Sequence, residues 1–276
     1  MSNAPQQSEW PLSGVLVVMN EAAHIEACLR SMDFCDEWVV VDSHSSDRTR
    51  EIAAAFGARV IERDWPGFGP QKIFAVEAAS HDWVLVLDAD ERVSPALREE
   101  ILALKRGGTP AMAGYNMPRL CRAMGRWIRH GSWYPDRVLR LFDRRRGNYN
   151  DARVHEKVIV HGPVGELKAD LLHLPYVNMA AHLAKMERYT DEMALKSLAK
   201  GRRARWFHVL FAPPLRFFKF YVLQSSWRDG WQGFVLACLA AHYAGLKYLK
   251  LYVHGLPQPP ADEDPATFDQ TPGGAR

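Results

Sequence analysis

The sequence predicts an α/β protein built on a mixed sheet with helices on both faces, followed by a helical C-terminal region. Three observations carry that expectation. The first hundred residues alternate short β-branched runs with helix-period segments, the pattern of a mainly parallel sheet covered by helices. The run Val84-Leu85-Val86-Leu87 is apolar at every position, as a central strand buried on both faces requires. From Ala111 onward strand-like segments are broken by turns, and past Pro175 the pattern becomes helical.

In order along the chain, Leu12 to Met19 reads as the first strand, and Ala22 to Met32 as a helix with Ala22, Ile25, Leu29 and Met32 on one face. Glu37 to Asp42 is the second strand. Ser43-His44-Ser45-Ser46-Asp47 then offers N-caps for a helix over Arg48 to Phe56, which Gly57 stops. Ala58 to Ile61 is the third strand. A loop with Pro66, Gly67, Gly69 and Pro70 leads to a helix over Gln71 to Ala79, and Trp83 to Asp88 is the fourth strand. Ser94-Pro95 opens a helix that runs through Lys105. Strand-like segments follow at Ala113 to Arg119, Arg137 to Phe142, Val158 to Val160 and Leu167 to Leu172, giving a partly antiparallel second half. Met179 to Lys200 is one long helix with two aromatic-rich segments after it, and the Pro-, Gly- and Asp-rich stretch from Pro257 reads as a mobile tail. The expected organisation is an N-terminal tail over 1–10, the sheet-bearing domain over 11–178, a helical subdomain over 179–256 and the tail over 257–276.

Composition supports a folded chain: of 276 residues, 47% are hydrophobic and 24% charged, and a net charge of +3 is too small to imply nucleic-acid binding. Cys28, Cys35, Cys121 and Cys238 lie at irregular spacings without a zinc-ligand pattern, and read as buried, reduced thiols. Met1 to Trp10 lacks the basic start and apolar stretch of a secretory signal, so the expected location is cytoplasmic.

The chemistry concentrates where the fourth strand ends. Val84 to Leu87 runs into Asp88-Ala89-Asp90-Glu91, and ligands of open α/β sheets bind at the carboxyl ends of strands. In extended chain Asp88 and Asp90 point the same way and address one ligand. Two such carboxylates suit Mg²⁺ or Mn²⁺ carrying a diphosphate. A solvated acidic turn before a helix has the same sequence, so context has to decide.

That context is a resemblance. Val17-Val18-Met19-Asn20-Glu21, Val39-Val40-Val41-Asp42-Ser43 with Ser46-Asp47-Arg48-Thr49, Lys72, and Leu87-Asp88-Ala89-Asp90-Glu91 resemble, in order and spacing, family 2 nucleotide-sugar glycosyltransferases. Gly131-Ser132-Trp133-Tyr134-Pro135-Asp136-Arg137, Leu139-Arg140-Leu141-Phe142, Val154-His155-Glu156 and Leu171-Leu172-His173 resemble its bacterial lipopolysaccharide inner-core β-glucosyltransferases. The resemblance covers roughly residues 12 to 175. It implies a GT-A-type fold, an inverting transfer from a nucleotide sugar such as a UDP-sugar, and a lipid-linked glycan acceptor.

By that resemblance Asp42 and Glu21 face the nucleotide, Lys72 neutralises a phosphate, and Asp88 contacts the ribose or shares the metal. Asp90 is the metal ligand proper and His173 completes its coordination. Glu156 occupies the place of the general base, with Asp136 in reserve; the family's usual acidic pair is His155-Glu156 here. Trp133 and Tyr134 are candidates for stacking on a sugar, and Arg137 and Arg140 for phosphate contacts or structural ion pairs. Asp47 reads equally as a helix cap. Two other classes share parts of this pattern: a phosphatase of the haloacid dehalogenase type, and an inactive membrane-bound carbohydrate-binding protein.

Residues 196–256 hold ten basic side chains against one acid, Asp229, interleaved with aromatic residues. Pro213-Pro214, Arg216 and Lys219 break the first apolar segment as a membrane span, and His242, Lys247 and Lys250 interrupt the second. A helix pair lying on the anionic cytoplasmic face of an inner membrane fits this composition, as does a helical subdomain packed on the sheet domain. No nucleic-acid-binding fold accompanies it.

Overall fold

The computed structural model describes residues 10–108, 110–152, 156–175 and 179–256. They fall into two compact units. One holds the described residues up to 175 together with Gln224–Phe234, and the other holds 179–223 and 235–256.

The first unit is a sheet of ten strands, β1 Leu12–Val18, β2 Glu37–Asp42, β3 Arg59–Glu62, β4 Trp83–Leu87, β5 Glu91–Val93, β6 Gly114–Ala123, β7 Arg126–Trp127, β8 Asp136–Asp143, β11 Val164–Glu166 and β12 Leu171–His173. β9 Gly147–Tyr149 and β10 Val158–Val160 form a separate antiparallel pair. The main order is β3-β2-β1-β4-β8-β6-β12-β5. β3, β2, β1 and β4 are parallel, β8 runs antiparallel to both β4 and β6, and β12 is parallel to β6 and antiparallel to β5. The mixed sheet is the one expected.

Strand sequence sets the layers. Leu12, Leu16, Val40, Leu85 and Leu87 face one core with α1 Ile25–Ser31, α2 Thr49–Ala55 and α4 Pro95–Arg106. The alternate residues Val15, Val39, Val41, Val84 and Val86 face the other with Ala75, Val76 and Ala79 on and just after α3 Phe68–Glu77. Alternate side chains of one strand point to opposite faces, so continuous apolar runs serve both. Ser94 caps α4 by accepting from Leu97 N at 3.2 Å, and Gly57 closes α2 at φ +91°.

Three expectations are corrected. Asp88 to Glu91 is not extended: Glu91 N donates to Asp88 O at 2.9 Å, closing a turn before β5. Of the single strand expected over Leu167 to Leu172 only the last two residues are extended, in β12, while β11 ends at Glu166, before that stretch begins. Glu166 pairs with Asn116 and Leu171 with Arg119, so five steps on one strand face three on the other and the surplus loops out. Cys238 is exposed, on the outer face of its helix, unlike the other three cysteines.

The second unit contains α5 Met179–Ala199, α6 Trp206–Phe218 and most of α7 Gly230–His254. α6 continues through Pro213 and Pro214, and a π-type turn, Lys219–Leu223, follows it. The prolines remove two helix donors, and Leu210, whose carbonyl one of them would have served, is exposed. Lys250 ties α7 to α5 through Glu187 at 2.7 Å and Asp191 at 3.0 Å.

Gly69, near the start of α3, gives its N–H to Ala152 O at 3.1 Å. A Cβ there would meet Ala152 O at 2.6 Å as well as Asn150 O, so only glycine lets this backbone approach. Gly69→Ala is expected to destabilise the chain by about 1–3 kcal/mol in urea unfolding; unchanged stability would mean the approach is not tight.

Candidate active site

The four parallel strands end on one edge, bringing together residues far apart in sequence. Asp42 closes β2, fully buried. Its carboxylate accepts from Ser45 N at 2.8 Å and from Ser45 Oγ at 2.5 Å. The loop after β2 thus folds back on its own strand end. Glu21 lies beyond β1, half-buried. Its carboxyl is raised by burial and by the charges of Asp90, Asp47 and Asp88, so these four acids share one electronegative region. Asp47 holds the start of α2, accepting from Thr49 N at 3.0 Å and Ala22 N at 3.1 Å.

The turn after β4 separates the two aspartates. Asp88 faces two cations: Lys72 Nζ lies 2.9 Å from Oδ1 and Arg140 Nη2 lies 2.6 Å from Oδ2. Burial opposes ionisation of Asp88, but Arg140 and Lys72 outweigh it and hold its carboxyl far below the usual range. Both its oxygens are therefore engaged. Asp90 faces the other way, its Oδ2 3.2 Å from His173 Nε2. β5 makes this pair: Glu91 is in register with His173, and Leu174 N donates to Asp90 O at 2.8 Å. Burial lowers the His173 pKa, but the Asp90 hydrogen bond, helped by Cys121 Sγ at 3.2 Å from Nδ1, raises it to about 9.

Lys72, buried on α3, also lies 2.9 Å from Glu156 Oε1. Burial favours its neutral amine, yet Asp88 leads the charges that keep it an ammonium. The base candidate is thus joined to the strand-end carboxylate through one lysine. Asp136 is joined from the other side, through Arg119 at 2.6 Å, which also reaches Glu91 at 3.1 Å. Glu91 is fully buried, accepts from Arg140 at 2.7 Å, and takes the Asp88 N–H at 3.1 Å.

Arg140 reaches this position because of a β-bulge. Tyr115 pairs with Leu141 and Asn116 with Leu139, leaving Arg140 as the extra residue of β8. The β4 ladder to β8 ends at Leu141, so Arg140 lies just beyond it, level with the turn. Glu91 and Arg119 were not singled out in the sequence, where Glu91 reads as one more acid of a solvated turn. Only the pairing of β5 reveals its role. Arg137 pairs with Glu166, and Tyr134 Oη donates to Asp170 at 2.8 Å. Val154 and His155 lie outside the described residues.

Residues 13–159, which contain this edge, match glycosyl transferase family 2. The chain belongs to that family. This family 2 glycosyltransferase is 33% identical over 92% of its length to the lipopolysaccharide core biosynthesis glycosyltransferase LpsC of Rhizobium meliloti (strain 1021), covering 97% of that protein. It is 27% identical to an uncharacterized glycosyltransferase of Rickettsia bellii (strain RML369-C), over 87% of this chain and 85% of that one. Among solved structures, glucosyl-3-phosphoglycerate synthase from Mycobacterium tuberculosis matches 41% of this chain and 45% of its own at 27% identity, with a TM-score of 0.34, too limited an overlap to transfer site residues. Family membership makes the chain an enzyme that transfers a sugar, and displaces the phosphatase reading.

Removing one partner from a buried ion pair strands the other charge. Arg140→Met is expected to destabilise the chain by about 3–5 kcal/mol, and combining it with Glu91→Leu to recover part of that loss. Urea unfolding of the two variants checks this; additive losses would show that the two side chains do not depend on each other.

Proposed function

We propose that the chain transfers a hexose from a UDP-sugar to a lipid-linked glycan, the lipopolysaccharide inner core, with inversion, at the cytoplasmic face of the inner membrane. The observation that carries this reading is the Lys72 bridge, which holds Glu156 beside the donor-side carboxylate Asp88. The relationship to LpsC, along nearly the full length of both chains, supports the acceptor class.

Glu156 is the general base. Lys72 occupies Oε1, and Oε2 takes the proton of the acceptor hydroxyl, whose oxygen attacks the anomeric carbon while the nucleoside diphosphate leaves from the opposite side. One displacement inverts the centre. Asp136, tied to Arg119, is the reserve base. Asp42 and Glu21 lie on the rim assigned to the nucleotide. Lys72 and Arg140, fixed by Asp88, supply positive charge to the diphosphate, and a pre-positioned charge needs no reorganisation as the leaving group forms.

Asp90 and His173 are the residues that would hold Mg²⁺ or Mn²⁺. Their donor set fits once the ion takes the place of the proton between Asp90 and His173, since a ligating imidazole is neutral: such ions keep several waters and take one or two protein groups with substrate phosphate oxygens, rather than a closed cage. Among the described residues no cluster of three or more such side chains forms one. When bound, the ion supplies Lewis-acid stabilisation of the departing diphosphate. Asp88, with both oxygens on cations, serves better as the anchor of Lys72 and Arg140 than as a direct ligand.

The helical unit supports a membrane location. Trp206, Leu210, Phe211, Leu215, Phe218 and Val222 are exposed along α6 and the turn after it, and an apolar stripe edged by basic residues suits an anionic interface. Ser226–His254 is also long and apolar enough, by length and composition, to cross a membrane.

Two measurements test the reading. With Mn²⁺ and a panel of nucleotide sugars, the purified protein is expected to bind a UDP-sugar, and Asp90→Ala to lose metal-dependent binding; equal binding by the variant would remove Asp90 from the metal site. Glu156→Gln is expected to keep donor binding but lower kcat by about 10²–10⁴ with a lipopolysaccharide core acceptor. If instead Asp136→Asn alone produces that loss, the base is Asp136.

A further inference from the structure

We propose that the first unit makes its own contact with the membrane, through the β6–β7 hairpin and the turn over 224–231, with Trp227 and Trp231 seated among the headgroups of an anionic bilayer. The inference rests on the membrane reading above, and adds a contact that the exposed stripe of α6 does not include.

The turn is fixed to its own unit. Gly131 N donates to Gln224 O at 2.9 Å, and Arg126 Nη2 to Arg228 O at 3.3 Å. Ser226, fully buried, donates from Oγ to Gly233 O at 3.1 Å. Asp229 is the strongest tie: it is buried, accepts from His130 N at 2.8 Å and Arg129 N at 3.3 Å, and lies 3.0 Å from His130 Nδ1. As the one acid in residues 196–256, it is spent inward and leaves no negative charge on the face of the turn.

What that face presents is aromatic and basic. Trp227 and Trp231 are 55% and 61% exposed, whereas Trp10 and Trp83 in the core are 6% and 2% exposed. Indole exposed on a rigid support loses apolar burial that a membrane interface restores, and its ring prefers the headgroup level. Arg228 lies next to Trp227 in the turn, Arg126 reaches the turn from the hairpin through Arg228 O, and Arg122 lies on the same hairpin; all three are exposed and, among the described residues, without a carboxylate partner. Arg122 lies over the Trp127 ring, and Arg129 is paired with Asp170 at 3.4 Å. Guanidinium groups beside outward indoles complement anionic headgroups in charge and in amphipathic character.

The test is co-sedimentation of the full chain with phosphatidylcholine vesicles, with and without phosphatidylglycerol. Variants are Trp227→Ser with Trp231→Ser, Arg126→Gln with Arg228→Gln, and Leu210→Ser with Leu215→Ser on α6, each checked for native circular dichroism and thermal unfolding. The wild type is expected to bind only the anionic vesicles. The tryptophan and arginine pairs are each expected to weaken that binding about tenfold. Wild-type strength in both pairs, with loss confined to the α6 variant, overturns this contact and leaves the membrane reading standing. No vesicle binding by the wild type overturns both. Binding to a soluble polyanion such as heparin or single-stranded RNA, with indifference to vesicles, assigns the surface to another partner and overturns the proposal.

Discussion

Nη2 of Arg140 stands between Asp88 at 2.6 Å and Glu91 at 2.7 Å, and the rest of the site depends on that bridge. An arginine is suited to it because a planar, always-charged group meets two carboxylates at once and is less strongly hydrated than a lysine ammonium. The chain of charges continues on both sides, from Asp88 through Lys72 to Glu156 and from Glu91 through Arg119 to Asp136. Both base candidates and the strand-end carboxylate therefore belong to one interlocked set.

Desolvating so many charges is unfavourable, and a buried ion pair is weak evidence for stability. Its use here is geometric. Each carboxylate in the set has a cation within 3.1 Å, so none is left as an uncompensated buried charge. In return, Glu156 is held beside the strand end although 68 residues separate it from Asp88. Asp90 and His173 stand outside the chain as a separate pair, made by the antiparallel docking of β5 on β12. The cation-paired Asp88 and the Asp90–His173 pair proposed as the metal site thus lie on the two sides of a single turn.

Much of this was legible in the sequence. The parallel strands β1 to β4 and their helices follow from β-branched runs, apolar periodicity and caps, because local patterning and burial agree there. The position of Asp42, Asp88 and Asp90 on one edge follows from strand order. The roles of the two aspartates were not legible, since an extended chain aims Asp88 and Asp90 alike, and only the hydrogen bond from Glu91 N to Asp88 O turns them apart. Arg140 reads in the sequence as a phosphate contact or a structural ion pair, on what looks like an ordinary strand. Its inward aim comes from a bulge set by the pairing of β6 with β8, a tertiary fact with no local signature. The same holds for Asp229, which looks like an isolated acid in a basic region and proves to be the clamp of the 224–234 segment on its unit.

The division of labour across the turn is tested most directly by a crystal structure of the protein with Mn²⁺ and UDP, using the anomalous signal of manganese to locate the ion. The expected result is a manganese peak ligated by Asp90 and His173 Nε2, with the diphosphate facing Lys72 and Arg140 and the Asp88 contacts to both cations retained. A peak ligated by Asp88, with Lys72 or Arg140 displaced from it, would contradict the account.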